Sequence, residues 1–573
     1  MSTEGRVLFP QVFKPSPMCN VFPDRSRRRW IAALCLLCVL VITQQAWIHR
    51  FGMNPDGISY LDIADGLLQG DLRRLVHPYW SPLYPCLQAA VLKVLSPTPD
   101  FEFPVVHLTN WLIGLGTVAS FTFFLCRWLR LRGAGQPVTP SLADFRVRTS
   151  FAYALFLWST LQMVGLNLVT PDLCVAALVY LAAGLCCRMA VCPPKWGASV
   201  LLGMVLGSAY LAKTAMLPLC AVLLGILALP WSPLSSRRSS LAIAALTLGV
   251  TVAPFVIGLS RQQHRLTFGE SGRLNYAWLV QGGIPVYAGW AGQTLALGTP
   301  AHPPRILSHK PAVLEFKDTV PGTYPPWYDP AFFHEGLQVR FDLRKQIIAL
   351  GRSPRDFISA GGDSLIPLMA GACVLCFLSP RGWRRAVVPN SWLLLWPLAG
   401  FAMYALVRIE ARYIAAFLVL FSLAIYDTAS PGRLRLAQSA VVTIVALCVC
   451  LFQLKTTLKD TLVVSAASKP FTDIVVSREL ARLGLRPGDE IAVVGDLAGF
   501  GAYYARLSRL KIVAEVPDAR QFLLLGYGES SALEENLRRV GARAIVGRVD
   551  CTLTGRVEWQ PIADSGYCVR LLK

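Results

Sequence analysis

Two carboxylates and two cations lie far apart in the chain, each at the edge of an apolar run. Asp56 stands in Asn54-Pro55-Asp56-Gly57, Asp172 in Thr170-Pro171-Asp172-Leu173, Lys213 in Leu211-Ala212-Lys213-Thr214, and Arg412 in Glu410-Ala411-Arg412-Tyr413. Brought together, they would support one kind of chemistry. Lysine and arginine hold phosphate, arginine in a two-pronged geometry that matches it. A carboxylate opposite could take a proton from an acceptor hydroxyl. The same cations would steady the phosphate as it leaves. That set fits sugar transfer from a polyprenyl-phosphate donor, which needs no nucleotide. Each residue also has a plainer reading. Asp56 and Asp172 suit helix N-caps, Lys213 could reach water by extending its side chain, and Glu410 could merely neutralise Arg408 or Arg412.

The segment after Asp56 is unusually polar and aromatic. Asp62 and Asp65 are three apart and share a helix face, read here as the wet face of a surface helix. His77, Tyr79 and Tyr84 fall in a run broken by Pro78, Pro82 and Pro85. They would line a sugar or acceptor pocket, or anchor a rigid interfacial turn. Glu270–Tyr276 and the run Pro325-Pro326-Trp327-Tyr328-Asp329 are expected to cover the site, since Trp and Tyr suit sugar stacking as well as loop packing.

The elements that must position these residues are membrane spans. Of 573 residues 54% are hydrophobic and only 16% are charged, too apolar for a soluble chain. The net charge of +21 could suggest nucleic acid, but the arginines cluster at the ends of apolar runs, which is the positive-inside pattern. Eleven spans are expected: Trp30–Ile48, Pro104–Trp128, Thr149–Leu166, Leu173–Val191, Trp196–Ala212, Leu217–Trp231, Ser240–Leu259, Ile358–Leu378, Ser391–Val407, Ile414–Tyr426 and Ala437–Leu454. Loops on one side carry Arg127, Arg130, Arg132, Arg146 and Arg148, then Arg188 and Lys195, Arg237 and Arg238, Arg381, Arg384 and Arg385, and Arg433 and Arg435. This places the N-terminus in the cytoplasm. Lys213, Arg408 and Arg412 are the basic exceptions on the other side, the side that also receives Asp56 and Asp172.

Three large outer regions follow. The first, 50–103, holds two stretches that read as amphipathic helices on the membrane, Ser59–Leu68 and Leu83–Leu95. The second is 261–357. The third is a tail from Lys455 that reads as a small α/β domain, with strands at Glu490–Gly495, Lys511–Val516, Arg543–Gly547 and Tyr567–Leu571 and helices at Gly499–Leu507 and Ser531–Val540. The domains are therefore a cytoplasmic segment 1–29, a membrane domain 30–454 and an extracytoplasmic domain 455–573. The Gly495–Gly501 turn is weakly similar to a nucleotide-binding loop but lacks G-x-G-x-x-G spacing, so a strand-to-helix turn is favoured. Most of the sixteen cysteines lie in apolar spans as small fillers. Cys551 and Cys568 in the tail are candidates to pair if the tail is extracytoplasmic.

Through the Asp56 loop, the Thr-Pro-Asp-Leu of Asp172, the Leu-Ala-Lys-Thr of Lys213 and the Glu-Ala-Arg-Tyr of Arg412 and Tyr413, the chain resembles the GT-C superfamily of integral-membrane glycosyltransferases. It resembles most the branch of protein O-mannosyltransferases, lipid A aminoarabinose transferases and rhizobial core-sugar transferases. The resemblance covers about Trp30 to Leu454. It implies a polytopic α-helical protein of the bacterial inner membrane that takes a polyprenyl-phosphate sugar and a lipid, glycan or protein acceptor. It implies Asp56 as base and Lys213 and Arg412 as phosphate ligands. Asp172, Tyr413, His77 and Tyr84 are the further substrate-binding expectations. The family's first loop often has a paired acidic motif where this chain has Asp56-Gly57, so a divalent cation is left open, and no Cys/His spacing suggests zinc. The rival expectations are a transporter or flippase of lipid-linked sugars and a non-catalytic scaffold. No internal repeat supports the first.

Overall fold

The computed structural model describes residues 24–133, 141–192, 196–232, 234–281, 298–316, 322–332, 335–378, 391–426, 434–466, 471–495, 501–549, 551 and 559–572. The interior of the Gly495–Gly501 turn and the basic residues Lys195, Arg381, Arg384, Arg385 and Arg433 lie outside them.

Long apolar runs leave the chain no choice but helix in a bilayer, since each backbone polar group must be satisfied within its own segment. Every one of the eleven expected spans falls on a helix. Among the described residues, six helices are long and apolar enough to cross a membrane: Arg25–Ile48, Pro99–Gly133, Asp172–Val191, Arg238–Gln262, Leu343–Leu378 and Leu434–Ala466. Shorter apolar helices, including Trp196–Ala212, Met216–Ala228, Ser391–Ala405 and Ala411–Tyr426, pack among them. The chain is a multi-pass membrane protein. Helix Trp196–Ala212 lies directly on Arg238–Gln262. A Cβ on Gly203 would come within 2.4 Å of the Ala244 carbonyl, and one on Gly207 within 2.6 Å of Thr251. Small residues let the two backbones meet where no hydrophobic effect between helices is available. Leu343–Leu378 is two helices joined at Gly362, whose φ of 54° only glycine adopts readily.

The helices of the first loop occur as expected, at Pro55–Leu68 and Leu83–Leu95. The first is not a wet surface helix: Gly57 through Ala64 are all buried. Above it stands a seven-stranded sheet in the order β1-β2-β4-β3-β5-β7-β6. The tail supplies β3 (Glu490–Val494), β4 (Lys511–Val516), β5 (Ala542–Gly547), β6 (Gln560–Pro561) and β7 (Cys568–Leu571). The second large loop supplies β1 (Arg305–His309) and β2 (Ala312–Glu315), with β2 antiparallel to β4. The central strands β4-β3-β5 are parallel and mostly apolar and buried, as suits strands covered on both faces, with Glu515 of β4 as the buried charged exception. One sheet face packs on helix Tyr527–Arg539 through Leu533 and Leu537. The other shares a core with both large loops, in which Ile58, Leu61, Trp80, Phe316, Tyr324 and Tyr328 meet Leu480, Tyr504 and Ile512. Cys551 and Cys568 form a disulfide.

Candidate functional site

Asp56 lies in the first turn of helix Pro55–Leu68. The cap position belongs to Asn54, whose side chain accepts instead from the Val169 backbone N–H at 2.7 Å. That bond ties the Asp56 turn to the turn before Asp172. Gly57 makes the approach fit, because a Cβ there would sit 2.7 Å from Val169 Cβ. Asp172 is the first residue of helix Asp172–Val191, whose cap position belongs to Pro171. Neither carboxylate is spent as a helix cap.

The four residues do converge. Lys213 Nζ donates to Asp172 Oδ1 at 2.6 Å, with the Tyr413 ring centroid 3.5 Å from the ammonium. Arg412, opening helix Ala411–Tyr426, bridges the two carboxylates: its Nη1 is 3.5 Å from Asp56 Oδ2 and 3.6 Å from Asp172 Oδ2. Its Nε donates to Glu410 at 3.0 Å. The expected open cationic pocket is therefore a network in which each cation already faces carboxylates. Lys213 sits between the membrane helices Trp196–Ala212 and Met216–Ala228. Burial pulls its ammonium below the ordinary lysine value, Asp172 opposes that pull, and Arg412 adds to it.

A cavity of about 730 Å³ opens beside this network, lined by Asp56, Asp172, Lys213, Arg412, Tyr413 and the aromatics Tyr60, Tyr79, Trp80, Trp278 and Trp327. A second cavity of about 570 Å³ lies against Asn54, Asp56, Asp356, Arg408, Glu410 and Arg412. Asp56, Arg408, Glu410 and Arg412 line both. The two stretches expected as a cover do close over the first. Helix Ser271–Leu279 is fastened by Glu270 N–H to the Pro78 carbonyl at 2.8 Å and by a Ser271–Thr214 hydroxyl pair at 2.7 Å. The Trp327 indole donates to Asp56 Oδ1 at 3.1 Å.

Two expected members are placed elsewhere. His77 Nδ1 accepts from the backbone of Tyr79 and Trp80 at 3.1 and 3.2 Å, so it shapes the turn that presents those rings and does not itself line either cavity. Tyr84 is fully buried. Its hydroxyl donates to Asn110 at 2.6 Å, and Asn110 in turn donates to the Leu168 carbonyl, which steadies the loop leading to Asp172. Asp62 and Asp65 are also corrected: they face Arg506 from the tail, not solvent. Arg506 is 2% exposed and donates to Asp62 Oδ1 at 3.0 Å, Asp65 Oδ2 at 2.6 Å and Glu102 Oε1 at 2.6 Å. Trp327, Tyr60, Trp278 and Tyr404 were not singled out as site residues. Trp327 had a visible signal in its proline- and aromatic-rich run; the others look like ordinary apolar residues.

Among the described residues no group of three or more His, Cys, Asp or Glu is arranged to hold a metal ion. Arg412 stands between Asp56 and Asp172, where a cation shared by the two carboxylates would be, and Lys213 occupies the other oxygen of Asp172, so the two aspartates as arranged do not fit a resident metal.

No family model and no curated protein matches the sequence. The fold does match. The crystal structure of ArnT from Cupriavidus metallidurans bound to undecaprenyl phosphate aligns over 95% of this chain and 98% of its own, at a TM-score of 0.52 and 12% identity. The two proteins share a fold. The apo form of the same ArnT aligns over the same shares at 0.51 and 13%. The oligosaccharyltransferase of Archaeoglobus fulgidus aligns over 90% of this chain and 67% of its own, at 0.46 and 14%. The likeness in fold to ArnT extends through the tail as well as the membrane helices, since the alignment leaves only a twentieth of the chain unmatched.

Proposed function

We propose that the protein is a glycosyltransferase that moves a sugar from a polyprenyl-phosphate donor to a lipid, glycan or protein acceptor. The observation that carries the reading is the place of Asp56. It is on the border of two cavities, oriented by Trp327 and within reach of an arginine that also touches Asp172. The aromatic cavity with Lys213 would take the donor, as the ArnT relative in fold was crystallised with undecaprenyl phosphate. The polar cavity would admit the acceptor. Asp56 takes the acceptor hydroxyl proton as that oxygen attacks the anomeric carbon. The carbon–oxygen bond to phosphate breaks, and the electron pair leaves with the polyprenyl phosphate. Lys213 and Arg412 trade carboxylate contacts for phosphate contacts as charge develops there. Asp172 holds both cations in place, and Tyr413 backs Lys213.

The basic loops and the tail disulfide support an outer face of the bacterial inner membrane, where thiols oxidise. A lipid-linked donor fits that compartment because it brings its own leaving group. The test uses membranes holding the full chain, a polyprenyl-phosphate-linked radiolabelled sugar and an envelope extract as acceptor. Asp56→Ala should abolish transfer while undecaprenyl phosphate still binds. Undiminished transfer in that variant would remove Asp56 as the base.

A further inference from the structure

We infer that Arg506 is a positioning residue for Asp56, acting from the tail through Asp62, Thr323 and Trp327. This rests on the reading of Asp56 given above, but its geometry stands independently. Arg506 leaves helix Ala502–Leu507 and enters a pocket of three carboxylates from the first loop and the following helix. Its Nη1 is shared between Asp62 and Asp65, its Nη2 between Asp65 and Glu102, and its Nε adds a second bond to Glu102. A planar guanidinium with this many fixed donors sets direction as well as distance.

Asp62 passes the constraint on. Both of its oxygens accept from Thr323, the N–H on Oδ2 and Oγ1 on Oδ1, each at 2.8 Å, and Oδ1 is the atom that Arg506 also holds. The Thr323 carbonyl accepts from Ile512 N–H of β4 at 3.0 Å, and Tyr324 donates to Glu515 of the same strand at 2.6 Å. Thr323 is thus held by the tail sheet from one side and by Asp62 from the other. Tyr324, Pro325 and Pro326 then lead to Trp327. The two prolines remove backbone freedom from that short arm, and the tight turn is closed by Trp327 N–H to the Tyr324 carbonyl. Its far end is the indole N–H on Asp56 Oδ1.

Asp62 and Asp56 also share one helix, so Arg506 holds Asp56 by two routes. One is the helix itself and the other is the arm that ends on the carboxylate. Gly322, just before the arm, completes the fit, as a Cβ there would lie 3.3 Å from Asp62 Oδ2. Arg506 touches neither cavity lining. Its effect on the reaction is the orientation of a carboxylate that must meet a hydroxyl in line, where misplacement by about 1 Å lowers a rate by roughly a hundredfold.

The test reads the Trp327 indole directly. Full-length protein in nanodiscs, labelled with ¹⁵N at the tryptophan indoles, gives a Trp327 N–H signal that is assigned by its loss in Trp327→Phe. Asp56→Asn defines the shift that follows when the acceptor changes. Asp62→Asn, Arg506→Lys and the milder Thr323→Val should each move the signal toward that position. Leu537→Ala, which opens a cavity on the opposite face of the tail sheet, should lower thermal stability and leave the signal in place. In a transfer assay the same three variants should lower kcat by about tenfold to a hundredfold with KM for the donor unchanged. An unmoved indole signal in folded Thr323→Val and Asp62→Asn overturns the inference. So does a shift of equal size in Leu537→Ala. If the wild-type chain transfers no sugar, the functional reading fails and the indole result still decides this one.

Discussion

Helix Pro55–Leu68 serves two ionic clusters built from nearly the same parts. At its start Asp56 joins Asp172 and Glu410 around Lys213 and Arg412. One and a half turns on, Asp62 joins Asp65 and Glu102 around Arg506 and Arg509. They differ in access. Asp56, Lys213 and Arg412 keep side-chain exposures of 20 to 23% and border cavities; Lys213 holds the buried Asp172 at 2.6 Å, but Arg412 stands 3.5 Å or more from both aspartates. Arg506, Asp62 and Glu102 are at 1 to 5% and are joined at 2.6 to 3.0 Å, with Asp65 and Arg509 at the exposed rim and no cavity beside them among those described above. Loose pairs facing space can exchange partners with a substrate. Tight pairs without space hold two pieces of protein together, and breaking them leaves a charge with nowhere to go. Residue type does not separate reaction from structure here; room for a third party does.

The largest effect expected from that contrast is on transfer. Asp56→Asn should lower the rate by about 10²- to 10⁴-fold with an unchanged melting midpoint, whereas Asp62→Asn should lower the midpoint first. Equal melting losses in the two would erase the distinction. Next, Arg506→Met removes the cation from three carboxylates and should destabilise the fold by about 3–5 kcal/mol, read from thermal or denaturant unfolding of the detergent-solubilised chain. Third, Lys213→Gln should weaken undecaprenyl phosphate binding by about 1.5–3 kcal/mol, the worth of a charged hydrogen bond. Its cost in stability should be smaller than that of Arg506→Met because Arg412 stays beside Asp172. The smallest effect is on pH dependence. On the proposed reading the protonated Lys213 binds the phosphate, and its pKa is lowered by burial. As pH rises, affinity for undecaprenyl phosphate should therefore begin to fall before pH ~10.4, the ordinary lysine value, and Lys213→Arg should move that fall to higher pH. A fall at the same pH in both would exclude Lys213 from the phosphate contact.

The sequence carried the helices well because apolar length and charge at loop ends are local signals. It also carried the sidedness of Asp56, Asp172, Lys213 and Arg412, which follows from counting spans. The tail strands were readable for the same local reason, as β4 shows. What it did not carry was pairing at a distance. Nothing near Asp62 announces a partner 444 residues away, so two acids three apart on a helix read as a wet face. The strands β1 and β2 are short, lie in a long loop, and gain their place only by adding to β4. His77 and Tyr84 were drawn to the pocket by residue type. The structure uses one for a backbone turn and the other for a buried hydrogen-bond relay, roles set by neighbours that the sequence does not place.

The shared sheet also does some counting. A strand cannot pair through a bilayer, because its polar edge would be stranded in hydrocarbon. Since β2 pairs with β4, the chain between Glu315 and Lys511 must cross the membrane an even number of times, whatever the fate of any single short helix. The bond from Arg506 to Asp62 imposes the same parity between the first loop and the tail. Any topology drawn for this chain, or any fusion used to probe it, has to satisfy both conditions at once. A reporter inserted after Leu68, after His309 or after Arg539 must therefore report the same compartment.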